Sequence, residues 1–363
     1  MAGSMLSKLF KPRLPRMVGV DIGSREVKAI LLAETPDGYQ VEGAARVPLP
    51  RGAVVDREIK DPIAVSEAME RVRTQLPKGV KFGAASVSGS TVMTKVIQMD
   101  GTLSDEELEA QIEIEADNLI PYPLEEVNID FQTLKVNEKD PAKVDVLLAA
   151  CRSDNVDARV DALEAAELES KVIDVEGYAL GRSYKLLVDQ VPDGDAGKVV
   201  ALVDVGASMT TFAVVDNGET VFIREQAFGG EQFTQSILSY YGMSYEEAEA
   251  AKVNEELPRN YVFEVLAPFQ TQLLQQIRRT LQIYSNTSGK EKVDHLLLSG
   301  GSAAIEGLTT MLSNELGIPT SIVAPFDSRL SAHERLPAQI KEEIPRYMVA
   351  CGLALRSFEP WHT

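Results

Sequence analysis

Cysteine is scarce in this chain. Only Cys151 and Cys351 occur in 363 residues, each among small and apolar neighbours. They read as reduced core thiols, and no C-x-x-C phrase is present to hold a structural zinc or a redox couple. The three histidines, His295, His333 and His362, form no triad or metal-ligand spacing. No apolar run reaches membrane-spanning length and no signal-peptide pattern is present, so a cytoplasmic protein is expected. A basic stripe is also missing. With a formal charge of −19, nucleic acid is excluded as the main partner, because a phosphate backbone needs clustered cations. There is no Walker P-loop, since Gly289-Lys290 lacks both the upstream glycine and the following Ser or Thr, and no G-x-G-x-x-G follows a strand.

What is present is ordinary globular material, 44% apolar and 25% charged, long enough for two domains. Its most informative feature is a phrase that occurs twice. VGVDIGSREVKAI begins at Val18 and ALVDVGASMTTFAVV begins at Ala201. In each, an apolar run ends on an aspartate, a glycine follows two positions later, and a second apolar run returns. LLLSGGSAAIEGL (Leu296–Leu308) repeats the strand-then-glycine form without the aspartate. A tight turn between two strands aims several backbone N–H groups one way and forms an anion nest. Gly23 and Gly206 permit close approach of a phosphate, and Ser24 and Ser208 can add hydroxyl donors. Asp21 and Asp204 would repel phosphate unless a cation intervened, which suggests hydrated Mg²⁺ held largely through water. Two such hairpins and a Gly-Gly turn suggest two similar halves closing on one polyphosphate.

Along the chain, Met1–Ser4 reads as an expression scar ahead of a native start at Met5. Residues 1–15 read as a loose basic arm, with weak contact to an anionic membrane surface as the alternative. The first domain is expected over 16–191 and the second over 198–344, with a subdomain at about 229–290 and a closing helix at 345–358. A helix is expected over Pro62–Gln75 with Ala64, Ala68, Met69 and Val72 on one face. An inserted module at about 88–152 changes character: between Gly101 and Asp145 there are 13 acidic residues and 3 basic ones. There Ser104 and Glu107 spell a capping box, Leu108, Ile112, Ala116 and Leu119 follow at helical spacing, and Glu106, Glu109, Glu113 and Asp117 mark the outer face. Strands are expected over 127–136 and 143–152, and a helix from Asn155 to Leu168 with Val156, Val160, Leu163 and Leu168 inward. Pro268 should bend or break a long helix at about Tyr261–Asn286. In the last helix Gly352 weakens helix propensity but permits close helix packing.

The two hairpins resemble the phosphate-1 and phosphate-2 motifs of the actin-like ATPase superfamily, and SGGSAAIEGL resembles its adenosine motif. AFGGEQF (227–233) resembles a Gly-Gly-Glu phrase near ribose and phosphate, and QQIRRTLQ (275–282) resembles an adenine-contacting helix. The resemblance implies an α/β actin-like ATPase fold: two related α/β domains around a nucleotide cleft, with a small inserted FtsA-like module in the first. It implies ATP or ADP bound with Mg²⁺ by Gly23, Ser24, Arg25, Lys28, Gly206, Ala207 and Ser208. It adds Gly229, Gly230, Glu231, Gly300, Gly301 and Ser302, and Gln275, with Arg279 stacking on the base and Arg278 near the ribose. Metal falls to Asp21 and Asp204. Glu176, at the first connecting helix, is the candidate for polarising the attacking water, or else a carboxylate favoured by the helix N-terminus. Proline is usual after this glutamate; here Gly177 follows, so a looser helix start and slow turnover at most are expected.

The module narrows the resemblance. LSDEELEAQIEIEADNLIPYPLEEVNIDFQTL, then VDVLLAACRSDNVDARVDALEAAELESKVIDVEGYAL, closely resemble the PilM family of type IV pilus assembly proteins, over nearly all of Arg16–Phe358. This implies a cytoplasmic ATP-binding scaffold on the inner-membrane face. Its partner would be the cytoplasmic N-terminal peptide of PilN, docked between the first domain and the module, with links to motor ATPases and room for self-association. The rivals are an FtsA-like division protein, disfavoured because the chain stops at RSFEPWHT without an amphipathic tail, and a sugar or acyl kinase, for which no substrate motif is found.

Overall fold

The computed structural model describes residues 16–359 apart from 37, 90–91, 138, 193–196, 255, 290–291 and 326–342. The basic arm, most of the link at 192–198, His333 and His362 lie outside the described residues. The first half opens with β1 (Met17–Ile22), β2 (Glu26–Thr35) and β3 (Gly38–Pro48), an antiparallel meander. On the other side of β1, strands β6 (Phe82–Val87) and β10 (Glu169–Val175) add in parallel, giving the order β10-β6-β1-β2-β3. A small hairpin, β4 (Val54–Val55) and β5 (Glu58–Ile59), lies between them in sequence.

The second half repeats this plan. β11 (Val199–Val205), β12 (Thr210–Asp216) and β13 (Glu219–Gln226) form the meander, and β14 (His295–Ser299) and β15 (Thr320–Ile322) add in parallel, giving β13-β12-β11-β14-β15. The repeated phrase is thus the sequence mark of a repeated five-stranded sheet. β1 and most of β11 are buried, which is why MVGVDI and VVALVDV run apolar without alternation.

Parallel neighbours need crossovers. α1 (Pro62–Gln75) precedes β6, with Pro62 in its first turn and the Asp61 side chain accepting from the Ala64 amide at 3.0 Å. Its buried stripe is Val65, Ala68, Met69 and Val72, so Val65 takes the place expected for Ala64. The β6-to-β10 crossover carries the inserted module: β7 (Val92–Asp100), α2 (Asp105–Leu119), β8 (Val127–Val136) and β9 (Lys143–Arg152), a three-stranded antiparallel sheet with β9 central. The capping box forms, and Leu108, Ile112 and Ala116 pack on Val146, Leu148 and Ala150 as a separate small core. Glu106, Glu109, Glu113 and Asp117 are exposed. α3 (Ser153–Ala165) stops three residues short of the expected end and buries Asn155, Arg159, Ala162 and Leu163. A buried arginine is invisible to an apolar-periodicity argument, and the inward face carries Asn155 and Arg159 in place of the expected Val156 and Val160.

β10 runs directly into α4 (Glu176–Arg182). In the second half α5 (Gly230–Tyr241), α6 (Tyr245–Val253) and α7 (Ala267–Ser288) precede β14, and α8 (Leu308–Leu316) precedes β15. A π-helical turn at Val262–Leu266 leads into α7, and Pro268 falls in the first turn of α7, where its missing N–H is tolerated. The last element is not one helix but α9 (Met348–Ala354) between two 3₁₀ turns, Ile344–Tyr347 and Leu355–Phe358. α9 returns to the first half. A Cβ added at Gly19 or Gly352 would run into the carbonyl oxygens of Ala350 and Ala179 respectively, so β1, α9 and α4 touch backbone to backbone. Both cysteines are buried free thiols. Gly352→Ala should destabilise the protein by about 1–3 kcal/mol through overpacking, despite roughly 1 kcal/mol of helix propensity in its favour. Urea unfolding checks this; a stabilised variant would mean that the helices can move apart freely.

Candidate functional site

Both Asp-x-Gly turns close in the same way. The Gly23 amide donates to the Glu26 carbonyl at 3.1 Å, and the Gly206 amide donates to Met209 at 3.0 Å. Each bond ties off the turn and leaves the amides of Ser24, Arg25, Ala207 and Ser208 with no acceptor among the described residues. The two turns belong to opposite halves yet meet, with Ser208 Oγ donating to Ser24 Oγ at 3.2 Å. Behind them, the Gly230 and Glu231 amides at the start of α5 are spent on Gly206 and Ala207 carbonyls at 2.9 and 2.7 Å. Those two amides brace the second turn rather than point into the cleft. Gly229 lies in the same brace, where a Cβ would meet Ala207 O at 2.6 Å.

Under the turns lies a charged floor. Lys28 Nζ sits 2.6 Å from Asp21 Oδ2 and donates to the Arg346 carbonyl at 3.0 Å. Burial opposes its charge, but Asp21, Glu26 and Asp204 hold the proton on and push its pKa above the ordinary value. Asp204 accepts from Ser299 Oγ at 2.8 Å. Burial, joined by Asp21 and Glu176, pushes its carboxyl up to about 6 against the pull of Lys28 and Ser299. An ordinary unfolded Asp titrates near 3.9. Between about pH 4 and 6 the folded protein therefore binds the extra proton, and stability should fall as pH rises through this window and then level off. Asp204→Asn lacks the effect. Urea midpoints at pH 4, 5, 6 and 7 should show wild type losing on the order of 2 kcal/mol relative to the variant. Parallel pH curves would mean Asp204 titrates normally.

These groups line one cavity of about 600 Å³ between the halves. Asp21, Gly23, Ser24, Arg25 and Lys28 come from the first hairpin, and Asp204, Gly206, Ala207 and Ser208 from the second. Gly230, Glu231, Glu176, Gly300, Gly301 and Ser302 complete the expected set that reaches it. Four expected residues do not: Gly229, held in the brace behind the second turn, and three on α7. Gln275, Arg278 and Arg279 are absent from the lining; Arg278 Nη2 donates to the Glu315 carbonyl at 2.9 Å, and Arg279 faces a separate recess with Arg224 and Gln276. At 1.5 Å rise per residue, Gln275 lies about 13 Å further along the helix than Leu266, which does line the cavity. The base-stacking role expected for Arg279 does not fit this placement. In its stead the far wall offers Leu257, Tyr261, Leu266 and Ile305, with Lys252 and Glu306. Only apolar pattern could have flagged the first four, and that pattern also reads as core.

Arg25 reaches across the cleft mouth. It donates to Tyr245 Oη, and the guanidinium groups of Arg25 and Arg51 lie 4.8 and 4.1 Å from the Tyr245 ring centroid. Glu176 is not loosely aimed by Gly177. A side chain there would run into Ile223, so glycine lets α4 sit against β13. The carboxylate is held by Arg57, Ser88 and Thr211, none of them singled out from sequence. Among the described residues no cluster of three metal-ligating side chains exists. The donor set still suits a mostly hydrated Mg²⁺ beside phosphates: Asp21 and Asp204, one from each half, with Lys28 between them and four free amides above.

A family model described as type IV pilus assembly protein PilM matches residues 19–358. The chain belongs to the PilM family. Among solved structures it is similar to a PilM–PilN type IV pilus biogenesis complex, at 24% identity and a TM-score of 0.80, over 96% of this chain and 100% of that one. It is also similar to the ethanolamine utilization protein EutJ from Carboxydothermus hydrogenoformans, at 16% identity and a TM-score of 0.56, over 95% of this chain and 90% of that one. The cell division protein FtsA of Bacillus subtilis (strain 168) is 25% identical over 380 residues, covering 93% of this chain and 82% of FtsA. The fold is therefore the actin-like ATPase fold. The rival kinase and division readings are not favoured, because the family matched along almost the whole chain is a pilus assembly one. No helix among the described residues is long and apolar enough to cross a membrane.

Proposed function

We propose that this PilM family member is a nucleotide-loaded scaffold at the cytoplasmic face of the pilus assembly platform. The observation that carries it is the meeting of the two turns at Ser24 and Ser208 over Asp21, Lys28 and Asp204. Four free amides and a buried ammonium suit the phosphates of ATP or ADP. Asp21 and Asp204 would hold Mg²⁺ largely through its waters, and the metal would neutralise phosphate charge beside those carboxylates. A purine ring fits the apolar wall of Leu257, Tyr261, Leu266 and Ile305. Heat release and chromatography of nucleotide from the purified protein, followed by calorimetry with Mg·ATP, test this reading.

Within the same reading, the first domain receives a short peptide of a PilN-type membrane protein. The support is the family and the likeness to a PilM–PilN complex. β8 is an edge strand of the module and carries exposed Leu134 and Val136, so an added strand would gain main-chain hydrogen bonds and cover apolar side chains. Motor ATPases and a second copy of the chain are further partners this reading allows.

A further inference from the structure

The cleft holds one residue whose geometry opposes the chemistry expected of its neighbour. Arg57 lies at the tip of the β4–β5 hairpin, where Asp56 and Arg57 both have positive φ, 50° and 69°. Such a two-residue turn favours Asn-Gly, and an arginine stays there only if its surroundings fix it. They do. The carbonyl of Arg57 accepts from the buried Arg159, which Asn155 Oδ1 holds at 2.7 Å. Gly89, itself at φ +88°, leaves room on the other side, where a Cβ would sit 3.2 Å from Arg57 Cβ.

So fixed, the guanidinium meets Glu176 as a two-pronged pair. Nη1 donates to Oε2 at 2.8 Å, and Nη2 lies 2.8 Å from Oε1. Ser88 Oγ adds a donor to Oε2 at 3.0 Å, and Thr211 Oγ1 adds one to Oε1 at 3.1 Å. A carboxylate offers about four lone-pair sites. Three accept hydrogen bonds, and Arg57 Nη2 crowds the fourth at 2.8 Å. In ATP hydrolysis a water oxygen bonds to the γ-phosphorus as the bond to the β–γ bridging oxygen breaks, and the water's proton passes to an oxygen of the released phosphate. A carboxylate that aims such a water needs an open lone pair, and on Glu176 three are taken and the guanidinium stands over the last.

We propose that Arg57 is a positioning residue that holds Glu176 out of use, so that the protein keeps bound ATP rather than consuming it. This rests on the nucleotide reading above. The clamp also ties the halves together. Arg57 Nη2 reaches Thr211 on β12 at 3.3 Å, and the Gly89 amide, at the root of the inserted module, donates to Glu225 on β13 at 2.8 Å. Hydrolysis would restart only where those ties are broken.

The test is phosphate release at saturating Mg·ATP, with calorimetry alongside, for wild type, Arg57→Gln, Arg57→Lys and Arg57→Gln/Glu176→Gln. Arg57→Gln should turn over at least 10-fold faster than wild type with nucleotide affinity within about threefold. Arg57→Lys, which keeps the buried charge beside Glu176 and so guards against misfolding, should rise by a smaller factor. The double variant should fall back to the wild-type rate, which a merely structural role of Arg57 does not predict. Folded Arg57 variants that bind ATP at wild-type turnover overturn the clamp alone, as does a double variant that stays fast. Wild type that binds no nucleotide overturns the nucleotide reading, and the clamp with it.

Discussion

Asp204→Ala should weaken Mg·ATP binding roughly 10- to 100-fold, with Asp21→Ala losing at least as much. The first figure follows from loss of one charge-assisted contact, direct or through metal-bound water, worth about 1.5–3 kcal/mol. The two positions differ in what is left behind. Asp204→Ala removes the acceptor of the Ser299 hydroxyl and part of the charge facing Lys28, which keeps Asp21, so the folded cleft should survive. Asp21 leaves Lys28, a buried ammonium, without its 2.6 Å counter-charge. That uncompensated charge should also lower stability, so Asp21→Ala is read with its melting curve beside it. Calorimetry with and without magnesium separates the effects: both variants should lose most of their magnesium dependence. Wild-type affinity in a folded Asp204→Ala protein would remove the second hairpin from the site.

Replacing residues 101–145 with a short linker should abolish capture of the PilN cytoplasmic peptide while nucleotide binding persists. The deletion removes α2 and β8, which pack in a cluster separate from the main sheets, and keeps the part of β7 that pairs with residues 146–151 of β9. The cleft residues lie elsewhere in sequence, between 21 and 57 and beyond 175. Bonds that cross over at the module's root, Ser88 Oγ to Glu176 and the Gly89 amide to Glu225, are kept in the deletion. Peptide affinity by fluorescence anisotropy is the readout. Unchanged affinity in a folded, ATP-binding deletion would put the docking place elsewhere on the first domain.

Much of this was legible because it repeats. Two apolar runs ending in Asp-x-Gly can be recognised without any contact map, and they mark matching strands in two sheets of identical order. The module's helix was equally readable, since Ser104, Glu107 and an apolar stripe are local signals. What stayed hidden depends on the third dimension. Arg57 sits on a short hairpin with no motif, and its meaning comes from Glu176, 119 residues away. Arg159 is buried by a guanidinium bond, not by apolarity. Arg346 reaches the cleft because the C-terminal segment returns to the first half, and its carbonyl rather than its side chain receives Lys28. Gln275, Arg278 and Arg279 lie away from the cleft for a related reason: a phrase that resembles a family motif fixes residue types, but the direction of α7 fixes which end meets the cleft.

A crystal structure of the protein grown with ADP and Mg²⁺ would decide whether the cleft between the repeated halves is a phosphate site. Phosphate oxygens are expected within about 2.7–3.2 Å of the amides of Ser24, Arg25, Ala207 and Ser208, with Lys28 Nζ on the same group and Mg²⁺ linked through water to Asp21 and Asp204. Nucleotide bound elsewhere, or an empty cleft at saturating ADP with those four amides facing only solvent, would contradict the assignment.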